Sequence, residues 1–543
     1  MGEVIPAKKM REKIAAAKPS SNESARRPAV EFDAQGLPVI HHDNGKLPEI
    51  LDGIELAFSL SPDLNIYRYA GRLARVHQAG KSDDEKVRRP AGAVMVHPIE
   101  SAHAVELAGR AAKHYKFDAR EKQDRPCNCP RSVADSFLAR LHWPRLPDLA
   151  GFIEAPLLAP DGRIIDKPGY DAASGLFCAF GQITGYLRPP SKPTRDQALQ
   201  AHKRLRAMFD GFPFVDDADR VALVAGIITA LLRRVLPAAP LFAITAPSPG
   251  TGKTLLCETL AIVATDRRAS VMSLGHDDAE FEKRLGGVLL AGDAVISIDN
   301  IERALRGDLL CQIATQQFVR LRPLGGSGML NVPTHALLVA TGNNLAIIGD
   351  LKRRVLMVRL DAHTERPEQR SFDRNHLDEI KAQRGAIITD ALTIVGAYLA
   401  AGEPKVAGFY DYGGFEEWDR LVRRPLGWLD LPDPLLAAES LRDQDPDLEA
   451  MRVLFSAWRA SNQLALGPCT AADVVLTSDG DHELREALQV VCSEKINSRR
   501  LGNWLRSHRD KIVDGLQLRQ VGTDGHAKVP RWKVVNAVNA ANA

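Results

Sequence analysis

Short apolar runs alternate along the chain with segments whose apolar residues recur at helical spacing. Three such runs lie at 241–245, 294–300 and 335–344, and each gives way to polar residues or glycine at its end. Runs of this kind are typical of strands that are buried on both faces in a parallel sheet. A helical pattern resumes at Leu255, directly after the first run and a glycine-rich turn. The pattern therefore predicts an α/β core in which strands and helices alternate.

The turn after the first run, SPGTGKT at 248–254, has the spacing of a phosphate-binding loop. The chemistry needs little bulk at two glycines, a lysine that reaches the β- and γ-phosphates of a nucleotide, and a hydroxyl for Mg²⁺. Pro247 stands where the usual signature has its first glycine, but it precedes the part that wraps the phosphates, so we expect the loop to bind nucleotide. The predicted nucleotide-binding residues are Pro249, Gly250, Thr251, Gly252, Lys253 and Thr254. The alternative is a chance turn.

Polar side chains at the ends of the later strands complete a set of catalytic candidates. Asp299 would hold Mg²⁺ together with Thr254, and Asn343 or Asn344 would orient the attacking water. Arg353 or Arg354 would reach the nucleotide of a neighbouring subunit as an arginine finger. The alternatives are an ordinary turn for the asparagines and a solvated basic helix cap for the arginines.

The segments PGTGKT, ISIDN, ATGNN and DLKRR together resemble the AAA+ and superfamily 3-type replicative helicases of phages, prophages and integrated genomic islands. The resemblance is strongest over 240–360 and extends over roughly the last three quarters of the chain. It implies an ATP- and Mg²⁺-dependent DNA helicase that serves a phage-like or mobile element, acts on single-stranded and forked DNA, and forms a ring, most simply a homohexamer.

One position departs from the pattern of this family. Many AAA+ proteins have Asp-Glu at the end of the second strand, whereas this chain has Asp299-Asn300. An amide cannot accept a proton as a carboxylate can, so another group must polarise the water. Glu302 is the first candidate, and Glu258 or Glu280 are substitutes.

The fold class predicted for the whole chain is an AAA+-like α/β P-loop NTPase core with an α+β N-terminal module and a C-terminal winged-helix domain. Hairpins are expected at 65–76 and 157–165, helical spacing covers 104–117, and residues 384–402 should form a lid over the nucleotide. The expected divisions are a disordered basic arm at 1–30, the N-terminal module at 31–190, the ATPase core with its helical lid at 191–405, a linker or helical connection at 406–450, and the winged helix at 451–543.

Two segments point toward nucleic acid. Residues 318–334 read as a hairpin in which Arg320 and Arg322 share one face, and an insertion at this place in ring helicases enters the central pore and binds single-stranded DNA. A solvent-facing hairpin with ordinary charges is the alternative.

The second segment, 497–535, reads as a helix followed by a two-stranded wing, which is winged-helix geometry. Leu501, Trp504 and Leu505 would point inward. The residues left for other faces are Arg499, Arg500, Asn503, Arg506 and His508, of which the three arginines are predicted to bind DNA. Protein contacts are the alternative role for such a domain.

Composition fits a soluble cytoplasmic protein. The chain has 543 residues, 45% of them hydrophobic, a net charge of +3 and seven scattered cysteines, which suits a reducing compartment. We see no membrane span and no secretory signal. The N-terminal module shows no catalytic constellation, so DNA binding or assembly is favoured over primer synthesis. A primase–helicase and an ATP-gated origin-binding initiator without unwinding activity remain alternatives.

Overall fold

The structure is a computed structural model. It describes residues 31–34, 36–42, 45–78, 82–84, 87–89, 93–275, 277–321, 329–370, 375–438, 446–492, 495–525 and 527–537. The arm predicted at 1–30 and the side chain of Arg322 lie outside the described residues.

The N-terminal module combines small sheets with three helices. Its strands are β1 (Val39–His41), β2 (Ile66–Tyr69), β3 (Arg72–Gln78), β4 (Ser82–Asp84), β5 (Val87–Arg89), β6 (Val94–Pro98), β7 (Lys113–Asp118), β8 (Gln123–Pro126), β9 (Gly151–Ile153), β10 (Leu157–Leu158), β11 (Ile164–Ile165), β12 (Gly169–Asp171) and β13 (Leu176–Cys178), and its helices are α1 (Leu47–Ser59), α2 (Ser101–Ala111) and α3 (Arg131–Ala139). Both predicted hairpins are present, as β2–β3 and β10–β11. The helix prediction over 104–117 is wrong beyond Ala111, because β7 pairs with β1 and β8 instead.

The central part of the chain forms the predicted α/β core. Its strands are β14 (Leu241–Ala246), β15 (Ser270–Ser273), β16 (Val295–Asp299), β17 (Phe318–Leu321), β18 (Leu330–Pro333), β19 (Leu337–Asn343) and β20 (Val355–Arg359), and its helices are α4 (Arg195–Ala207), α5 (Asp217–Leu232), α6 (Lys253–Thr265), α7 (Asp278–Ala291), α8 (Asp308–Thr315), α9 (His376–Ala382) and α10 (Arg384–Ala400), with 3₁₀ turns at Gly349–Arg354 and Pro367–Gln369. None of the helices that the structure describes is long and apolar enough to cross a bilayer.

A seven-stranded sheet organises this core in the order β20-β14-β19-β16-β15-β5-β4. The strands from β20 to β15 are all parallel, and the N-terminal module adds β5 antiparallel to β15. Side chains of β14 alternate between two apolar cores, one on each face of the sheet, as strand geometry requires. Since the carboxyl ends of parallel strands meet at one edge, the ends of β14, β19 and β16 lie side by side at the centre of the sheet.

The segment after α10, which we expected to be a connection, packs into the larger of these two cores. It contains α11 (Glu416–Trp418), a π-helical turn (Asp419–Arg423) and α12 (Arg424–Trp428). Trp418 is fully buried and donates its indole N–H to the hydroxyl of Thr229 on α5 at 2.8 Å. Burial of the indole with its polar group satisfied holds this segment to the α/β core.

The helix predicted as a nucleotide lid exists as α10, but its first residue lies at the wrong end of α6 to contact phosphate. Arg384 is buried and donates to the carbonyls of Ile262, Val263 and Ala264 at the C-terminus of α6. These carbonyls lie nine to eleven residues after Lys253 on α6, which is about 15 Å along the helix axis at about 1.5 Å per residue. Arg384 therefore caps α6.

The same end of α6 joins the core to the N-terminal module. Arg384 also donates to the carbonyl of Glu154 at 2.7 Å, and the Glu154 carboxylate accepts a hydrogen bond from Arg267. Burial raises the pKa of Glu154 to about 7, and the nearby Arg267 opposes this rise without cancelling it. The carboxyl group therefore titrates near neutrality at the contact between the two parts.

We expect stability to fall as pH rises through this window. The folded protein retains the Glu154 proton between its ordinary pKa of 4.5 and about 7, whereas the unfolded chain loses it. Because of this group, the free energy of unfolding is lower at pH 8 than at pH 5 by up to roughly 3 kcal/mol. Glu154→Gln should lack this part of the slope, as measured by urea unfolding at both pH values; equal slopes in the two proteins would contradict the prediction.

The C-terminal part contains the predicted helix and hairpin. Its helices are α13 (Pro446–Ala460), α14 (Ala471–Thr477), α15 (His482–Cys492) and α16 (Ser498–Ser507), and its strands are β21 (Cys469–Thr470), β22 (Ile512–Val513), β23 (Leu516–Thr523) and β24 (Pro530–Asn536). Leu501 and Leu505 of α16 are fully buried, as predicted. His508, which we expected on another face, is buried and stacks on Trp504 with ring centroids 4.0 Å apart.

Candidate nucleotide-binding site

The predicted phosphate-binding loop connects β14 to α6, so the free N–H groups of the first turn of α6 border it. Gly250 and Gly252 have φ angles of +79° and +101°, which residues with a Cβ rarely adopt. A Cβ at Gly250 would lie 2.8 Å from the backbone nitrogen of Glu368, and one at Gly252 would lie 2.8 Å from the ring of Phe212. Both positions therefore require glycine. The arrangement suits an anion, because helix N-termini present unpaired N–H donors.

Lys253, the first residue of α6, points its ammonium group at the carboxyl edge of the sheet. Its Nζ lies 2.7 Å from Oδ1 of Asn343, 3.1 Å from the carbonyl oxygen of Ser248 and 3.3 Å from Oγ1 of Thr251. These three acceptors match the three N–H donors of an ammonium group. Burial lowers the pKa of Lys253, and the charge of Asp299 acts in the opposite direction. A bound phosphate would exchange with one of these acceptors.

Asp299 ends β16, and its carboxylate is oriented by Thr341 of the neighbouring strand β19. The hydroxyl of Thr341 donates to Oδ1 of Asp299 and accepts the backbone N–H of Asn300 at 3.3 Å. Sequence reasoning missed Thr341, although a polar residue inside a buried apolar strand is a usable signal. Thr254 is exposed in the first turn of α6. A carboxylate and a hydroxyl are oxygen ligands of the kind that Mg²⁺ prefers, so these residues fit the predicted metal.

The two asparagines at the end of β19 have different surroundings. Asn343 contacts Lys253, as described above, and aligns with Ala246 at the end of β14. Asn344 has a φ of +44° and binds the two residues where the chain leaves β14 for the loop. Its backbone N–H donates to the carbonyl of Ala246 at 2.9 Å, and its Nδ2 donates to the carbonyl of Pro247 at 3.5 Å. Of the two, only Asn343 lies beside the lysine. Asn344 instead supports the loop at the proline that replaces the usual glycine.

The two arginines after β19 also differ. The side chain of Arg353 is 62% exposed, and its Nε and Nη2 donate hydrogen bonds to the two carboxylate oxygens of Asp350. Arg354 is only 16% exposed and donates to the carbonyl of Cys311 and the hydroxyl of Thr315. The exposed side chain of Arg353 can therefore reach another molecule. The side chain of Arg354 is held by contacts within its own chain, which argues against its prediction as an arginine finger.

Glu302 lies next to the position of the missing carboxylate. Its Oε1 accepts a hydrogen bond from Nδ2 of Asn300 at 3.3 Å, and its side chain is exposed. Glu258 is buried and accepts the backbone N–H of Ala269 at 3.0 Å, so it holds the chain after α6 instead of facing the loop. Glu280 lies in the first turn of α7. Glu258 is therefore held away from the loop, and Glu302 and Glu280 stay candidates for the catalytic carboxylate.

The predicted DNA-binding arginines lie on two separate surfaces. Strands β17 and β18 form the predicted hairpin, with Arg320 exposed opposite Asn331. On α16, Arg499, Arg500 and Arg506 are all exposed. Arg506 is held by Oδ1 of Asn503 at 2.6 Å.

No protein-family model matches the chain, and no curated protein does either. Among solved structures, an apo form of the C-terminal region of NrS-1 is similar to this chain at 12% identity and a TM-score of 0.36, covering 80% of this chain and 98% of the other. The SCCmec type IV Cch active helicase is similar at 12% identity and a TM-score of 0.31, covering 88% of this chain and 98% of the other. Similarity at this level carries no information about which residues act or what they act on.

Proposed function

We propose that the protein is an ATP-dependent DNA helicase or translocase that works as a ring, most simply a homohexamer. The observation that carries this proposal is the cluster of Lys253, Asn343 and Asp299 at the carboxyl edge of the parallel sheet, where they follow or end the three successive strands β14, β19 and β16. The exposed Arg353 lies outside this cluster, and in the proposed ring it serves a second subunit. A site that is completed by a neighbouring copy requires assembly for activity.

The residues divide the chemistry among them. The N–H groups of the loop and the ammonium of Lys253 bind the phosphates of ATP, and Asn343 holds that ammonium in place. Asp299 and Thr254 hold Mg²⁺, which when bound neutralises the charge that develops on the phosphates. Glu302 accepts the proton of the attacking water. Arg353 of the adjacent subunit stabilises the transferred phosphoryl group.

Substitution of Glu302 tests the position of the catalytic carboxylate. We expect Glu302→Gln to lower ATP turnover by about 10²-fold or more while leaving the KM for ATP close to that of the wild type, because a general base acts on the chemical step. Steady-state ATPase measurements give both constants. Glu282→Gln, an exposed glutamate on α7, is the matched control. Turnover that stays unchanged in Glu302→Gln would exclude this residue and direct attention to Glu280.

Arg320 on the hairpin and the three arginines on α16 support the assignment to DNA. The hairpin β17–β18 belongs to the ATPase core, since Val319 and Val332 are buried in the same apolar cluster as α7 and α8. Arg320 therefore belongs to the same core as the proposed nucleotide site. The helix α16 and the hairpin β23–β24 form the proposed winged helix, whose exposed arginines attract duplex phosphates independently of sequence.

Unwinding of a forked substrate separates these two roles. Arg320→Ala is expected to abolish strand displacement and DNA-stimulated ATPase, while duplex binding stays within about twofold, because ssDNA contacts are lost at the hairpin only. The triple change at Arg499, Arg500 and Arg506 should weaken duplex binding and reduce its salt slope by roughly one per lost phosphate contact, with unwinding of a preloaded fork retained.

The same assay distinguishes the alternative functions. Duplex binding and ATP hydrolysis by the wild type without strand displacement would contradict a helicase and indicate an initiator. Incorporation of ribonucleotides on a single-stranded template would assign primer synthesis to the N-terminal module in addition.

A further inference from the structure

Arg354 connects two parts of the core that the proposed function uses for different purposes. Its Nη1 donates to the carbonyl oxygen of Cys311 at 2.7 Å and to Oγ1 of Thr315 at 3.1 Å, both on α8. Its Nη2 lies 2.7 Å from Oδ2 of Asp350. A guanidinium group can make these contacts together because its donors form a rigid planar fork, whereas a lysine ammonium has no such fork.

On one side of Arg354, the end of α8 is continuous with the base of the hairpin β17–β18. Thr315 is the last residue of α8, and β17 begins at Phe318. Thr334, at the other foot of the hairpin, donates its hydroxyl to the carbonyl of Gln316 and its N–H to the carbonyl of Gln317 at 3.0 Å. These bonds tie the foot of the hairpin to the two residues that follow Thr315, so a displacement of the hairpin is transmitted to the end of α8 and to Thr315, which binds Arg354.

On the other side, the carboxylate that Arg354 binds also holds the proposed arginine finger. Asp350 accepts from Nε of Arg353 and, at 3.2 Å, from its Nη2. The backbone of Arg353 is fixed separately, since the hydroxyl of Tyr412 donates to its carbonyl at 2.9 Å. Arg353 can therefore bind a neighbouring phosphate without a backbone shift, provided that its side chain leaves Asp350.

We propose that Asp350 and Arg354 are positioning residues that link DNA binding at the hairpin to the release of Arg353. Single-stranded DNA displaces the hairpin and α8, Arg354 carries Asp350 with them, and Arg353 exchanges the carboxylate for the phosphates in the adjacent subunit. This inference rests on the proposed function. It adds the route by which DNA in one subunit controls hydrolysis in the next.

The proposal is tested by ATPase kinetics of the full chain with and without single-stranded DNA. Arg354→Lys should lower the stimulation by DNA by about fivefold or more, in line with typical coupling free energies, while the DNA-free kcat, the KM for ATP and the Kd for DNA stay within about twofold. Asp350→Asn should instead raise the DNA-free kcat by about fivefold or more, because Arg353 is released without DNA.

Thr315→Val gives a milder version of Arg354→Lys and serves if that variant does not fold. Thr393→Val on α10 is its matched control, because Thr393 makes the same kind of hydroxyl bond to the carbonyl four residues earlier but does not contact Arg354. We expect Thr315→Val to reduce stimulation and Thr393→Val to leave it unchanged.

Two outcomes would overturn the inference in distinguishable ways. Normal stimulation in folded Arg354→Lys and Thr315→Val, beside a stimulated wild type, would overturn the coupling route and leave the proposed function intact. A wild type whose hydrolysis does not respond to DNA would overturn both.

Discussion

Lys253→Ala is expected to weaken ATP binding by roughly 10- to 100-fold and to bring ATP hydrolysis to background. The ammonium group is the positive charge that the structure aims at the carboxyl edge, with Asn343, Thr251 and Ser248 holding it there. A hydrogen bond to a charged group contributes about 1.5–3 kcal/mol, and 1.4 kcal/mol corresponds to a tenfold change in affinity. Equilibrium binding of a fluorescent ATP analogue and steady-state hydrolysis measure the two effects.

Asp299→Asn provides the contrast, because it changes the metal-binding group and not the phosphate-binding one. We expect this variant to retain ATP binding within about tenfold and to lose turnover by 10²-fold or more, since a bound Mg²⁺ contributes several kcal/mol to charge stabilisation. Wild-type hydrolysis in Lys253→Ala would refute the assignment of residues 248–254 as a nucleotide-binding loop.

The part of this site that sequence predicts best is the part set by local structure. A glycine-rich turn between a buried strand and a helix brings Gly250, Gly252 and Lys253 together within a few residues, so their spacing alone is informative. The carboxyl ends of parallel strands always share one edge of a sheet. This general rule predicts that Asn343 and Asp299 lie close to the loop. Both expectations needed only the order of elements along the chain.

Sequence could not divide roles between adjacent residues of the same type. Arg353 and Arg354 are neighbours in a basic turn, and only the packing of α8 decides which of them is buried. Asn343 and Asn344 differ for the same reason, since one faces Lys253 and the other closes the loop exit. Thr341 was missed because its partner, Asp299, is distant in sequence.

The same limit explains what the sequence does not show outside the site. The helical spacing over 104–117 is overridden where β7 pairs with β1, which lies some seventy residues earlier in the chain. The sequence predicts a linker or helical connection over 406–450, but it does not show that Trp418 and Arg423 are fully buried there or that Arg423 is paired with Asp419 at 2.9 Å. A buried charge is stable only when it is paired, and the pairing is visible only in three dimensions.

Arg353→Ala is expected to lower ATP turnover by about 10³-fold or more without a comparable loss of ATP binding, because an arginine finger acts on the transition state. In the proposed ring, the nucleotide on which Arg353 acts is bound by another subunit, so mixing the variant with a second one should restore the lost activity. Arg353→Ala subunits keep Lys253, and Lys253→Ala subunits keep Arg353. In a random equal mixture about a quarter of the interfaces carry both intact groups, and hydrolysis should return although neither variant is active alone.

Mixing with the wild type tests whether the interfaces also depend on one another. If the ring moves along DNA only when neighbouring interfaces hydrolyse ATP one after another, one inactive interface stops the whole ring. Arg353→Ala should then reduce unwinding by more than its fraction of the subunits. Lys352→Ala is the control, since it removes a positive charge from the same 3₁₀ turn without removing the finger. A strictly proportional loss of unwinding would mean that the sites work independently. Failure of the two inactive variants to complement each other would mean that Arg353 does not act across an interface, and the ring would then lose its main support.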